Sequence, residues 1–186
     1  MAAALALAFS GAVFAQANTV QRDANQQQRI EQGLQSGSLN TREASQLERA
    51  ETKVEKDQAR AMRDGNLSPA EKARLQREQN QVSREINRDT HNAATGNPNS
   101  ASSQRMQADV QRNINQQNRI EQGVKSGSLT TRETAKLEAG QARDTRAEAR
   151  AGADGNVSAK EQKRLQKKEN KQSERIHREK HDAQHK

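Results

Sequence analysis

The apolar positions of this chain recur at helical spacing and form narrow stripes. Val20, Ala24, Gln27, Ile30 and Leu34 fall within roughly 120° of one helix face, and Val110, Ile114, Gln117, Ile120 and Val124 repeat the arrangement. A second stretch carries Ala44, Leu47, Val54 and Met62, and a third carries Leu75, Val82 and Ile86. Stripes of about two apolar residues per heptad suit packing between long helices. The pattern predicts an all-α fold with three helices, two short breaks, and then the same again.

The repeat is explicit in the letters. QQQRIEQGLQSGSLNTRE (26–43) returns as QQNRIEQGVKSGSLTTRE (116–133), and DGNLSPAEKARLQ (64–76) returns as DGNVSAKEQKRLQ (154–166), at a constant offset of 90 residues. Such self-similarity marks a duplication. Between the copies NAATGNPNSASSQ (92–104), rich in Asn, Ser, Gly and Pro, reads as a flexible linker. Two tandem three-helix units are therefore expected, over 16–91 and 105–186. In the second, Val54, Met62 and Val82 are replaced by Asp144, Gly152 and Gln172, and the middle helix relies on Ala135, Ala139, Ala142 and Ala149. Alanine favours helix but buries little area, so this unit is expected to be the looser one.

The four breaks share a formula: Gly, any residue, an aliphatic residue, a polar cap, two residues, then Glu. It resembles the back half of an EF-hand loop, in which a glycine, an aliphatic residue and a bidentate glutamate stand at these spacings. That resemblance nominates Asp64, Asn66, Ser68 and Glu71, with Asp154, Asn156, Ser158 and Glu161, as ligands of a weakly held divalent cation. The front half departs from the loop, because Arg60 and Met62, then Arg150 and Gly152, occupy the positions of its first two acidic ligands. Capping accounts for the same letters at all four breaks: Gly37, Gly65, Gly127 and Gly155 suit the left-handed position after a helix. Asn40, Ser68, Thr130 and Ser158 then serve as N-caps, with Glu43, Glu71, Glu133 and Glu161 as capping-box partners and Pro69 at a first helical position.

Composition narrows the setting. The chain has 186 residues, is 30% hydrophobic and 30% charged, and its only aromatics are Phe9 and Phe14. The opening MAAALALAFSGAVFA, with Val13 and Ala15 before Gln16, reads as an export signal over 1–15, shorter than the roughly 20 residues a membrane span needs. A periplasmic or secreted location follows, and with no cysteine there are no disulfides to support a small core. The net charge of +8 is uneven: residues 1–93 carry 13 Lys+Arg against 12 Asp+Glu, and 94–186 carry 19 against 12.

Two further candidates lie near the C-terminus. His177, His181 and His185 recur every four residues and share a helix face, a spacing that can chelate zinc, nickel or copper. The basic run Lys160, Lys163, Arg164, Lys167, Lys168, Lys171, Arg175, Arg178 and Lys180 suits an acidic envelope polymer or a protein partner. Nucleic acid fits poorly, since no aromatic side chain is present to stack on bases. No catalytic motif is recognisable, and a non-enzymatic role is expected.

Over residues 20–93 and 106–184, the alternating SGxLTxxE and DGxVSxxE turns and the KHD-ended last helix resemble small secreted proteobacterial helical-repeat proteins of unassigned activity. The resemblance implies a helical fold and an exported location, and leaves two expectations of function: weak divalent-cation binding, or an electrostatic binding module.

Overall fold

The computed structural model describes the backbone of residues 7–182 and the side chains of residues 16–182. The expected export signal therefore lies outside the described side chains, and its first six residues lie outside the described backbone. Six helices follow one another: α1 (Leu7–Ser36), α2 (Thr41–Ala61), α3 (Pro69–Asp89), α4 (Ala101–Lys125), α5 (Thr131–Ala151) and α6 (Ala159–His181). There is no strand among the described residues, so the all-α class stands. No helix among them is long and apolar enough to cross a membrane.

The breaks are built as capped turns. Their glycines have φ of 79°, 92°, 74° and 90°, the region L side chains avoid. All four following helices carry a complete capping box, so each glutamate binds the backbone N–H of its own cap. The aliphatic residue of each break is buried, and Leu39 folds back over Gly33, where a Cβ would meet it at 2.5 Å.

The copies do not close separate cores. The most extensive interfaces join α1 to α4 and α2 to α5, and each apolar cluster draws residues from both copies. Both pairs are antiparallel. Arg42 at the start of α2 donates to the Asp154 carbonyl beyond the end of α5 (3.1 Å), and Arg132 at the start of α5 donates to the Asp64 carbonyl beyond the end of α2 (3.2 Å). The two bonds are related by the 90-residue offset, which defines a pseudo-twofold axis between the copies.

The third helices flank this central four in matching ways. Gln26 of α1 donates to the Gln79 carbonyl and to Ser83 Oγ of α3, while Gln116 of α4 donates to the Glu169 carbonyl and to Ser173 Oγ of α6.

Two expectations are modified. The second copy is not left loose, because its small residues permit close packing. Ala135, Ala142 and Ala149 are buried, and Gln172, in place of Val82, lies over Gly140 and donates to the Leu137 carbonyl at 2.9 Å. The connection at 92–104 is shorter and better anchored than a free linker. Gly96 N–H donates to the Gly37 carbonyl (2.8 Å) and Asn92 donates to Glu43 (2.8 Å). Asn97 and Ser100 bond backbone N–H groups two and three residues ahead, and Ser100 caps α4 at Ala101. The polar, turn-forming composition here serves turns and caps.

Candidate functional site: a buried row of carboxylates and amides

The inward face of α2 is wider than its apolar stripe. Burial extends beyond Ala44, Leu47 and Val54 to Glu48, Glu51, Glu55 and Gln58, each at most 1% exposed. On α5 the same happens to Glu138, Gln141, Thr145 and Glu148. Helical spacing explains it. Residues 48, 51, 55 and 58 are separated by three or four positions, hence one face, and antiparallel packing on α5 closes that face from water. Helices α1 and α4 complete the row with Asp23, Gln27, Asn113 and Gln117, likewise buried.

Amides hold the carboxylates in place. Gln27 donates to Glu48 (3.0 Å) and its repeat equivalent Gln117 to Glu138 (3.2 Å). Asp23 accepts from Gln58 (2.5 Å) and Gln79 (2.7 Å), and Glu148 accepts from Asn113 (2.7 Å). At the centre Thr145 donates to Glu55 at 3.1 Å.

What remains is an excess of oxygen. Oε1 of Gln27, Gln58, Gln117, Glu48, Glu138 and Glu148, with Oδ1 of Asn113, is buried without a protein donor. Glu51 is the extreme case: it is 0% exposed and neither carboxylate oxygen has a partner. Burying a charged carboxylate without compensation is costly, so such a group takes up a proton or a cation. Burial is the main cause that raises Glu48 and Glu138 to about 8 and Asp23 to about 7, against the lowering effect of the amide bonds. Glu51, Glu55 and Glu148 are pushed well above the ordinary range, first by burial and then by neighbouring carboxylates. Replacing Glu51 with methionine removes this uncompensated group while keeping an unbranched side chain. Glu51→Met should stabilise the cation-free chain at pH 8 by about 1–4 kcal/mol, read from thermal melts in chelator; a destabilised variant would show Glu51 to be compensated.

The row continues toward α6. Asp109, which accepts from Gln162 (2.8 Å), lies within hydrogen-bonding reach of Glu169, and Arg112 pairs with Glu169 at 3.0 Å. Burial raises Asp109 to about 7, Glu169 to about 8 and Asp144 to about 6.

The residues singled out in the sequence occupy other places. Asp64 and Asp154 accept from Asn66 and Asn156 N–H (2.9 Å each), closing their own turns. Glu71 and Glu161 each accept from the N–H and the hydroxyl of Ser68 and Ser158. These side chains are brought together, but as turn and cap. His177 and His181 lie with ring centroids 4.3 Å apart, and His181 Nδ1 is 2.7 Å from the His177 carbonyl; His185 lies outside the described residues. Among the described residues, one group of three acidic ligand atoms lies within 4.8 Å of one another: Glu133, Glu179 and Asp182. Glu133 is engaged there as a cap, and Lys136 lies 3.9 Å from Glu179.

The missed site had a signal. Gln27 and Gln117 stand inside apolar stripes at equivalent positions in both copies, which marks a polar face turned inward. No known protein family, curated protein or solved structure matches the chain.

Proposed function

We propose that this protein is an exported, non-enzymatic binder of hard divalent cations, and that the binding groups are the interior carboxylates and amides of α1, α2, α4 and α5. The observation that carries this reading is the buried oxygen excess, concentrated where carboxylates from different helices face one another. A donor set of carboxylate and amide oxygens, without thiolate or imidazole, suits calcium or manganese and disfavours copper or zinc. Thermal melts at pH 8 in chelator, then with 1 mM of each ion, test it. Calcium and manganese should raise the melting temperature by several degrees, as expected of a ligand that binds only the folded chain. No shift with any hard cation would reject the reading.

A second reading has its own observation, on the outside of α6. On α3, Arg74 is neutralised by Asp57 (3.0 Å) and Glu78 (3.2 Å). Its equivalent Arg164 has Ala147 and Lys168 at the matching positions, so this pairing is replaced by further positive charge. Lys160, Lys163, Arg164, Lys167, Lys168 and Lys171 are all exposed. This face suits an acidic envelope polymer. Binding to a polyuronate should weaken steeply with salt, and binding indifferent to salt would reject it.

A further inference from the structure

Resting on the cation-binding reading, we propose that the chain holds two divalent cations, one in each of two interior quartets made from one side chain of every central helix. The first quartet is Gln27 of α1, Glu48 of α2, Asn113 of α4 and Glu148 of α5. Its four members are at most 1% exposed and form two amide–carboxylate pairs, Gln27 to Glu48 and Asn113 to Glu148. Every member keeps one buried oxygen without a protein donor. The antiparallel register of α2 on α5, fixed by the Arg42 bond to the Asp154 carbonyl and the Arg132 bond to the Asp64 carbonyl, sets residue 48 opposite residue 148 and so brings the two pairs together.

The pseudo-twofold axis produces the second quartet from Gln117, Glu138, Asp23 and Gln58. Gln117 and Glu138 are the direct equivalents of Gln27 and Glu48, but the other pair is exchanged. Where the first copy has Asp23 with Gln58, the second has Asn113 with Glu148. Acid and amide trade helices, yet the hydrogen bond persists, with Gln58 donating to Asp23 and Asn113 to Glu148. Each quartet consequently retains two carboxylates, the charge that neutralises one divalent ion, and two amide oxygens to extend its coordination.

Preservation of a hydrogen bond explains why the exchanged positions changed together. It does not explain why the pairs meet as two acids per layer, where burying polar groups with oxygens left without donors costs stability in the absence of a cation. The quartets are separate sites. Residues 48 and 58 stand about 15 Å apart along α2, so two ions would not share ligands. Full burial also favours an ion that sheds water readily, calcium or manganese before magnesium.

Equilibrium dialysis of the full chain with calcium at pH 7.5 counts the ions, and two per chain are expected. Glu148→Gln and Glu138→Gln should each leave one, because each leaves its quartet a single carboxylate. The double exchange Asn113→Asp with Glu148→Gln, which recreates the first-copy arrangement, should restore two. Removing a buried acid favours folding without cation, and circular dichroism confirms that the variants compared are folded. A substitution-free readout accompanies the count: substoichiometric manganese should broaden the side-chain amide NMR signals of Gln27 and Gln117. Wild type that binds no ion overturns the cation-binding reading itself. Ions whose number is unaffected by either single substitution, or broadening confined to the turns or the histidine tail, leave that reading standing and overturn the quartets.

Discussion

Raised from pH 5 to pH 8.5 in chelator, the chain should lose thermal stability steadily, opposite to ordinary acid unfolding. The buried carboxyls of Asp23, Glu48, Asp109, Glu138, Asp144 and Glu169 have folded values between about 6 and about 8, all above their unfolded values. The folded chain therefore binds more protons than the unfolded one across this window. Their contribution is fully present below about pH 4 and is lost as pH rises through the folded values. Each such group contributes a slope of about 1.4 kcal/mol per pH unit. If only three act fully, the slope is about 4 kcal/mol per unit, or on the order of 10 °C in melting temperature for a chain of this size. Melts followed by circular dichroism at pH 5, 6, 7 and 8.5 measure it. A melting temperature that is flat or rises over that range would mean that the row is solvated or compensated in solution.

Separating the copies should have a comparably large effect. Residues 16–91 alone lack α4 and α5, the helices that cover Ile30, Leu34, Leu47 and Val54 in the shared core. Their exposure removes most of the burial that helices with such narrow stripes depend on. At low micromolar concentration this fragment should show little helix, and helicity should grow with concentration as two fragments pair through the same twofold arrangement. Circular dichroism and sedimentation over a hundredfold concentration range distinguish the outcomes. A helical monomer with a cooperative melt would show that one copy closes its own core.

The elements were legible in the sequence because helix boundaries depend on local chemistry. Gly37 and Gly65 stop helices, Asn40 and Ser68 start them, and the capping glutamates stand at fixed spacing. The 90-residue offset likewise exposed the duplication. What could not be read locally is which stripe packs on which. The apolar residues of one copy suffice for a three-helix sketch, and only the three-dimensional arrangement shows α1 against α4 and α2 against α5. That pairing moved the site as well. Glu48, Glu51 and Glu148 look in sequence like the solvated flank of a charged helix, since an acid's burial depends on what the partner helix covers. The DG turns drew attention because they resemble a metal loop, while their Asp64 and Glu71 oxygens are engaged in the turn itself. The linker followed the same logic: Asn97 and Ser100 gave a composition typical of mobile segments, and their side chains cap backbone N–H groups instead.

Proton release tests most directly whether the interior row exchanges protons for cations. Carboxyls with folded values of about 7 to 8 are substantially protonated at pH 7, so a divalent ion entering the row must displace protons. Calcium titrated into the full chain at constant pH 7, with added base recording the protons, should release at least about one proton per ion bound. The melting temperature should rise over the same additions. Calcium binding with no proton release would place the ion on the already ionised surface carboxylates and contradict an interior site.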